Sequence, residues 1–219
     1  MKVCIALQCC YLLKRKTMEQ KIPEIHVEEL KKDPEFLANI ERLEKECKEE
    51  ESVHKGYQLL DAKLVIEAPE DEINEIFTFI VNTAFEKLAT YLTEHKSFNV
   101  VTNEEERAIA RAIYEHAIQR YSENDKKGAK EMFLVLHHTI DYDELKDAMM
   151  IHAAAVMSGM AFDDFIENLV DVKEIDPHDP LAFFIQTFVQ PTDILLQMYQ
   201  KYVKQGKEEL KVLEEDKNA

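Results

Sequence analysis

Histidine close to aspartate is the combination in this chain with the widest chemical reach. His138 and Asp141 stand three residues apart, so an imidazole and a carboxylate can share one ion where the backbone is helical or turned. His116 and His152 fall on apolar stripes of the expected neighbouring helices, and a fold that brings them near His138 completes a ligand set. Imidazoles with a carboxylate suit iron, zinc or manganese, with an open position for water and hence hydrolytic chemistry. The plainer expectation gives the same residues structural duties. His138 and Asp141 then cap adjacent helix ends, while His116 and His152 are core side chains bonded to backbone.

Other chemistry is excluded by residue type and spacing. Glu51 and His54 have the Glu-x-x-His spacing of carboxylate-bridged di-iron bundles, but those need a second copy and the chain has none. The pair reads as solvated surface. Glycines stand only at 56, 128, 159 and 206, so neither a phosphate-cradling P-loop nor a Rossmann turn can be assembled. No serine has the flanking glycines of a nucleophile elbow. Cys47 lies on an apolar helical stripe and reads as packing.

Charge is the second signal. The 219 residues carry 27 Lys plus Arg against 44 Asp plus Glu, a formal net charge of −17. That balance argues against nucleic acid or an anionic membrane as the main partner, since both need a basic footprint. Between Asp141 and Gln200 there are 12 acids and two bases, a net of −10 in 60 residues. Asp163, Glu167, Asp171 and Glu174 lead this strip, which can steer a basic partner. Asp171 to Asp179 is no EF-hand, because the loop glycine is missing and prolines interrupt it. The bland reading is a solvated face that keeps the protein soluble.

Residues 1–17 differ from the rest. They hold Lys2, Lys14, Arg15 and Lys16, no acid, and three of the four cysteines (Cys4, Cys9 and Cys10). The apolar run from Val3 to Leu13 is too short to span a bilayer, which needs about 20 residues. It also lacks a small-x-small cleavage site, and its basic cluster follows the apolar run instead of preceding it. The segment is read as an atypical extension, disordered or preceding a native start at Met18. No disulfide framework is supported, so the body suits a reducing compartment.

The elements that must position these residues read as helices. Residues 18–32 form a lead-in arm. Asp33 and Pro34 then open a helix with the stripe Phe36, Ile40, Leu43 and Cys47. Gly56 is expected to stop or kink it, and residues 57–67 continue as helix. Pro69 and the acids Glu70, Asp71 and Glu72 start a long central helix, and Thr102 with Glu105 makes a capping box for the next. A short helix holds Met132 to Leu136. A buried one starts near Asp141 and has no charge from Ala148 to Phe162. Residues 162–175 are amphipathic, with Phe162, Phe165, Ile166 and Leu169 inward. The last helix is expected from Leu181 to about Leu213, kinked at Pro191. Its aromatic residues spread around more than one face, which leaves a homo-oligomer open.

Four glycines in all argue against sandwiches and barrels, whose tight turns consume them. The expected fold is all-α, a single irregular bundle of six to eight helices over residues 33–216. The leading functional expectation is a cytoplasmic, acidic binding protein (an adaptor, regulator or chaperone-like factor) that engages a protein partner through the acidic strip and needs no cofactor. The alternative is a metal-dependent helical enzyme centred on His138 and Asp141.

Overall fold

Asp33 opens the first long helix in the way its type dictates. Its carboxylate accepts from the backbone N–H of Glu35 at 2.8 Å and of Phe36 at 3.4 Å, and Pro34 supplies the first helical position. The computed structural model describes residues 27–174, 176 and 178–215. Among them the chain forms ten α-helices and no strand. They are α1 (Val27–Leu30), α2 (Pro34–Glu49), α3 (Val53–Val65), α4 (Glu70–Thr93) and α5 (Glu104–Ser122), followed by α6 (Lys126–Thr139), α7 (Asp143–Met157), α8 (Phe162–Leu169), α9 (Thr192–Met198) and α10 (Gln200–Glu215). The all-α bundle expected from the sequence is the one observed. Two helices beyond the expected range come from the single turn of α1, inside the arm, and from the divided C-terminal helix. The proposed 1–17 extension and arm residues 18–26 lie outside the described residues.

The core is organised around α5 and α7. From Ala148 to Val156 every side chain of α7 is buried, as its charge-free run predicts. Its alanines let neighbours approach from several sides: α6 packs along it most extensively, and α9 and α10 lie against other faces. Helix α5 buries ten residues and lies against α3, α4 and α6. A smaller cluster, Ile40, Leu43, Cys47 and Leu59, sits apart beneath α2. None of the helices among the described residues is long and apolar enough to cross a membrane.

Four local expectations need correction. The break between α2 and α3 falls at Glu51, with φ 49°, and Gly56 lies inside α3. A Cβ on Gly56 would come within 2.8 Å of Ile80 Cγ1, so the glycine is there for close packing on α4. Asn103, not Thr102, caps α5, accepting from the N–H groups of Glu105 and Glu106. Helix α8 ends at Leu169, short of 175. Finally, the long kinked C-terminal helix starts later and bends elsewhere than expected: the chain from Leu181 to Pro191 is irregular, helix begins at Thr192, and the interruption falls at Tyr199 instead of Pro191.

Candidate functional site

Three phenylalanines decide where the acidic strip sits. Phe162, Phe165 and Phe188 pack around Tyr121 and His152, with Phe165 4.7 Å from the His152 ring centroid and Phe162 5.4 Å from that of Tyr121. Burial of Phe162, Phe165 and Leu169 turns Asp163, Asp164 and Glu167 outward. The chain after α8 is held by the segment that failed to become helix. Asp171 N–H donates to Thr187 O at 3.1 Å, Thr187 Oγ1 donates to Asp171 O at 3.0 Å, and Val189 N–H donates to Leu169 O at 3.0 Å. Residues 169–171 and 187–189 thus form a short antiparallel clasp, bridged at Val170 and Phe188.

That segment is itself anchored from beneath. Phe183 lies on the Arg111 guanidinium, whose carbon is 3.6 Å from the Phe183 ring centroid and 3.8 Å from that of Tyr57 on the other side. Arg111 Nε donates to Glu115 Oε1 at 2.8 Å, and the Tyr57 hydroxyl donates to Glu115 Oε2 at 2.7 Å. Burial opposes the charge on Arg111, yet the Glu115 carboxylate beside it holds its pKa above the ordinary value. Two residues after Phe183, Ile185 N–H donates to the Tyr114 hydroxyl at 3.0 Å. In the sequence this network is marked by the Arg111 and Glu115 pair at i,i+4, on a helix read for its apolar spacing.

Some of the chain's acids are spent on internal cations: Glu105 on Lys87, Glu115 on Arg111, Asp125 on Arg120, Glu209 on Lys130. Among the described residues, no Lys or Arg stands within 4.0 Å of Asp163, Asp164, Glu167, Asp171 or Glu174. Asp171 is half-buried and accepts from the N–H of Lys173 at 3.0 Å; the other four are exposed. Val172 and Val189, 36% and 49% exposed, add an apolar margin at the clasp.

The histidine and aspartate candidates do not meet as a ligand set. Helix α6 ends at Thr139 and Ile140 is extended, with ψ 140°, so His138 and Asp141 do not share a helical face. Asp141 is exposed, and its N–H donates to Phe98 O at 2.9 Å. His116 Nε2 accepts from Arg120 Nε at 3.2 Å, and burial together with Arg120 holds its pKa below the usual imidazole value. His152 is wholly buried with both ring nitrogens engaged: Nδ1–H donates to Ala148 O at 2.7 Å, and Nε2 accepts from the Tyr114 hydroxyl at 3.2 Å. Desolvation pushes its pKa down to about 4. Among the described residues no group of three or more His, Cys, Asp or Glu side chains is placed to hold a metal ion. Glu51 and His54 are likewise parted, because Glu51 lies in the turn before the Ser52 cap of α3.

The capping-box glutamate has another task. Glu105 reaches across to α3 and accepts from Ser52 Oγ at 2.7 Å, Val53 N–H at 2.9 Å, His54 N–H at 3.0 Å and Lys87 Nζ at 2.7 Å. Burial alone would raise its pKa, but these donors hold it below the ordinary carboxylate value. It sits in an open depression of about 870 Å3 shared with His54, Lys55, Asn99 and Glu104. Comparison with family models, with curated proteins and with solved structures finds no match to this chain.

Proposed function

We propose that the protein is a helical binding module that receives a basic protein segment on the outer face of α8 and the clasp that follows it. The observation carrying this is the clustering on one face of Asp163, Asp164, Glu167, Asp171 and Glu174, none with a Lys or Arg within 4.0 Å among the described residues. Isolated surface carboxylates repel one another, and a cationic partner relieves that repulsion while being steered by it. The face is rigidly backed, since α8 and residues 181–189 are fastened to α5 through Tyr121, Tyr114 and Arg111. Exposed Val172 and Val189 give the apolar contact that charge alone lacks. The buried free thiol of Cys47 suits a reducing compartment such as the cytoplasm.

The test uses a partner cross-linked to the protein at low salt and then identified and purified. Replacing Asp163, Glu167, Asp171 and Glu174 by Asn or Gln keeps shape and the Asp171 turn bond while removing four charges. Association should slow by roughly tenfold or more, and its salt dependence should flatten, with dissociation changed less. Equal association rates for both forms would leave the strip as a solvated face and end this reading.

A further inference from the structure

Among the described residues of this acidic chain, a depression at the end of α6 is lined without a carboxylate. His137 and His138 at the end of α6, Lys146 on α7, and Lys207, Leu210 and Lys211 on α10 enclose about 330 Å3. Two other depressions are lined in part by acids, Glu104, Glu105 and Glu106 in one and Glu44, Glu72 and Glu75 in the other.

The construction follows from helix packing. Gly206 is buried where a Cβ would come within 2.9 Å of Leu134 Cδ2 and 3.3 Å of Met150 Sδ, so α10 lies close against α6 and α7. Lys207, Leu210 and Lys211 follow at positions that share one helical face. Leu210 is buried and forms an apolar floor, while Lys207 is exposed at the rim. The His137 Nδ1–H donates to Lys146 O at 2.8 Å, which leaves Nε2 of the neutral ring as an acceptor.

A structural reason for cations here would be the carbonyls at the C-terminal end of α6. Three carbonyls there are already taken: Val135 O by Thr139 Oγ1, Leu136 O by Ile140 N–H and Thr139 O by Phe98 N–H. Lys146 has Asp143 at 4.0 Å and Lys211 has Glu208 at 2.7 Å, but Lys207 has no ion-pair partner among the described residues. Burial holds the His137 pKa below the usual imidazole value; the hydrogen bond to Lys146 O and the Asp147 charge oppose this, and the Lys146 and Lys207 charges add to it. A proton is therefore repelled at that ring by two ammonium groups, and an anion is attracted by the same groups.

We propose that this depression binds the phosphate group of a small molecule, with Lys207 and Lys146 supplying charge, His138 a polar contact and Leu210 the apolar floor. Its volume lies at the low end of small-ligand sites, about 300–1,000 Å3. A phosphate dianion gains from several point charges at once where a single carboxylate gains less. The site is separate from the α8 face, so its failure would not touch the binding role proposed above.

The experiment titrates inorganic pyrophosphate into the full chain in low-salt, phosphate-free buffer. The Cε1–H signals of His137 and His138 are followed by NMR. Both should shift saturably. Lys207→Glu should weaken binding by at least about tenfold, whereas Lys127→Glu, the same charge change on the exposed first turn of α6, should alter it less than about twofold. Lys207→Gln, with helicity checked by circular dichroism, covers the case in which the glutamate disturbs α10. Phosphatidylcholine vesicles carrying phosphatidic acid form the second arm. Binding to them that depends on Lys207 assigns the phosphate to a lipid headgroup, and binding of pyrophosphate alone assigns it to a soluble molecule. Absence of a saturable shift in both arms, or equal losses in the Lys207 and Lys127 variants, would overturn the proposal.

Discussion

His152 shows how much one residue can commit a fold to a protonation state. Its imidazole is sealed among Tyr114, Phe133, Phe165 and Phe188 with Nδ1 donating and Nε2 accepting, so no lone pair is left for a proton. Unfolded, the ring takes a proton below pH 6.5; folded, it resists until about pH 4. The unfolded state therefore binds the extra proton across that window, and stability falls as pH drops from 6.5 to 4. The loss approaches about 1.4 kcal/mol per pH unit and totals on the order of 3 kcal/mol. His116 and His137, also depressed, contribute with the same sign. Urea unfolding between pH 7 and pH 4 should show this slope, and His152→Gln should be less stable at pH 7 but shallower in its pH dependence. An unchanged slope would remove His152 as its source. Arg111 is the second such residue. Truncating it to Ala strands the buried Glu115 carboxylate and should cost about 3–5 kcal/mol, measured by the same unfolding assay. From sequence His152 was legible as a core residue of its helix, whereas His116, expected in the core and bonded to backbone, is half-buried and bonded to the Arg120 side chain. The ring partners shown lie 4 residues away for His116 Nε2 and as far as 38 for His152, and the second of these no periodicity reveals.

At the scale of elements, punctuation read correctly where one residue type determines the geometry. Asp33 with Pro34 and Pro69 with its following acids mark helix starts in sequence and in structure. Thr102 was displaced as a cap because Asn103 is the stronger capping side chain and Glu105 is drawn to α3. Residues 181–191 were misread as helix for a tertiary reason. The run is rich in aromatic and β-branched residues of modest helix propensity, and its backbone gains more from Tyr114, Leu169 and Asp171 than from its own turns. The end of α7 depends on Gly159, at φ 87°, which completes a Schellman motif: Met160 N–H donates to Ala155 O and Gly159 N–H to Val156 O. Gly159→Ala should cost about 1 kcal/mol through backbone strain alone, since nothing lies within 4 Å of the added Cβ. Thermal unfolding reads this directly. Phe165→Ala, by contrast, empties the centre beneath α8 and should cost about 3–5 kcal/mol.

For the whole molecule, charge and core are divided differently. The net of −10 over residues 141–200 opposes compactness, so neutralising Asp163, Glu167, Asp171 and Glu174 should raise the melting temperature at low salt. The gain should vanish near 1 M salt, where the Debye length falls to about 3 Å. The core is split as well: Ile40, Leu43, Cys47 and Leu59 hold α2 to the bundle in a cluster of their own. Such a cluster melts by its own equilibrium, at less than the global free energy. With Cys4, Cys9 and Cys10 replaced by serine, the buried Cys47 thiol becomes a clock for that event. Its labelling by a thiol-specific reagent should outrun global unfolding, quicken with Leu59→Ala and ignore Phe165→Ala. The molecule would then shed its first long helix as a unit while the α5–α7 core and both proposed binding surfaces stay intact.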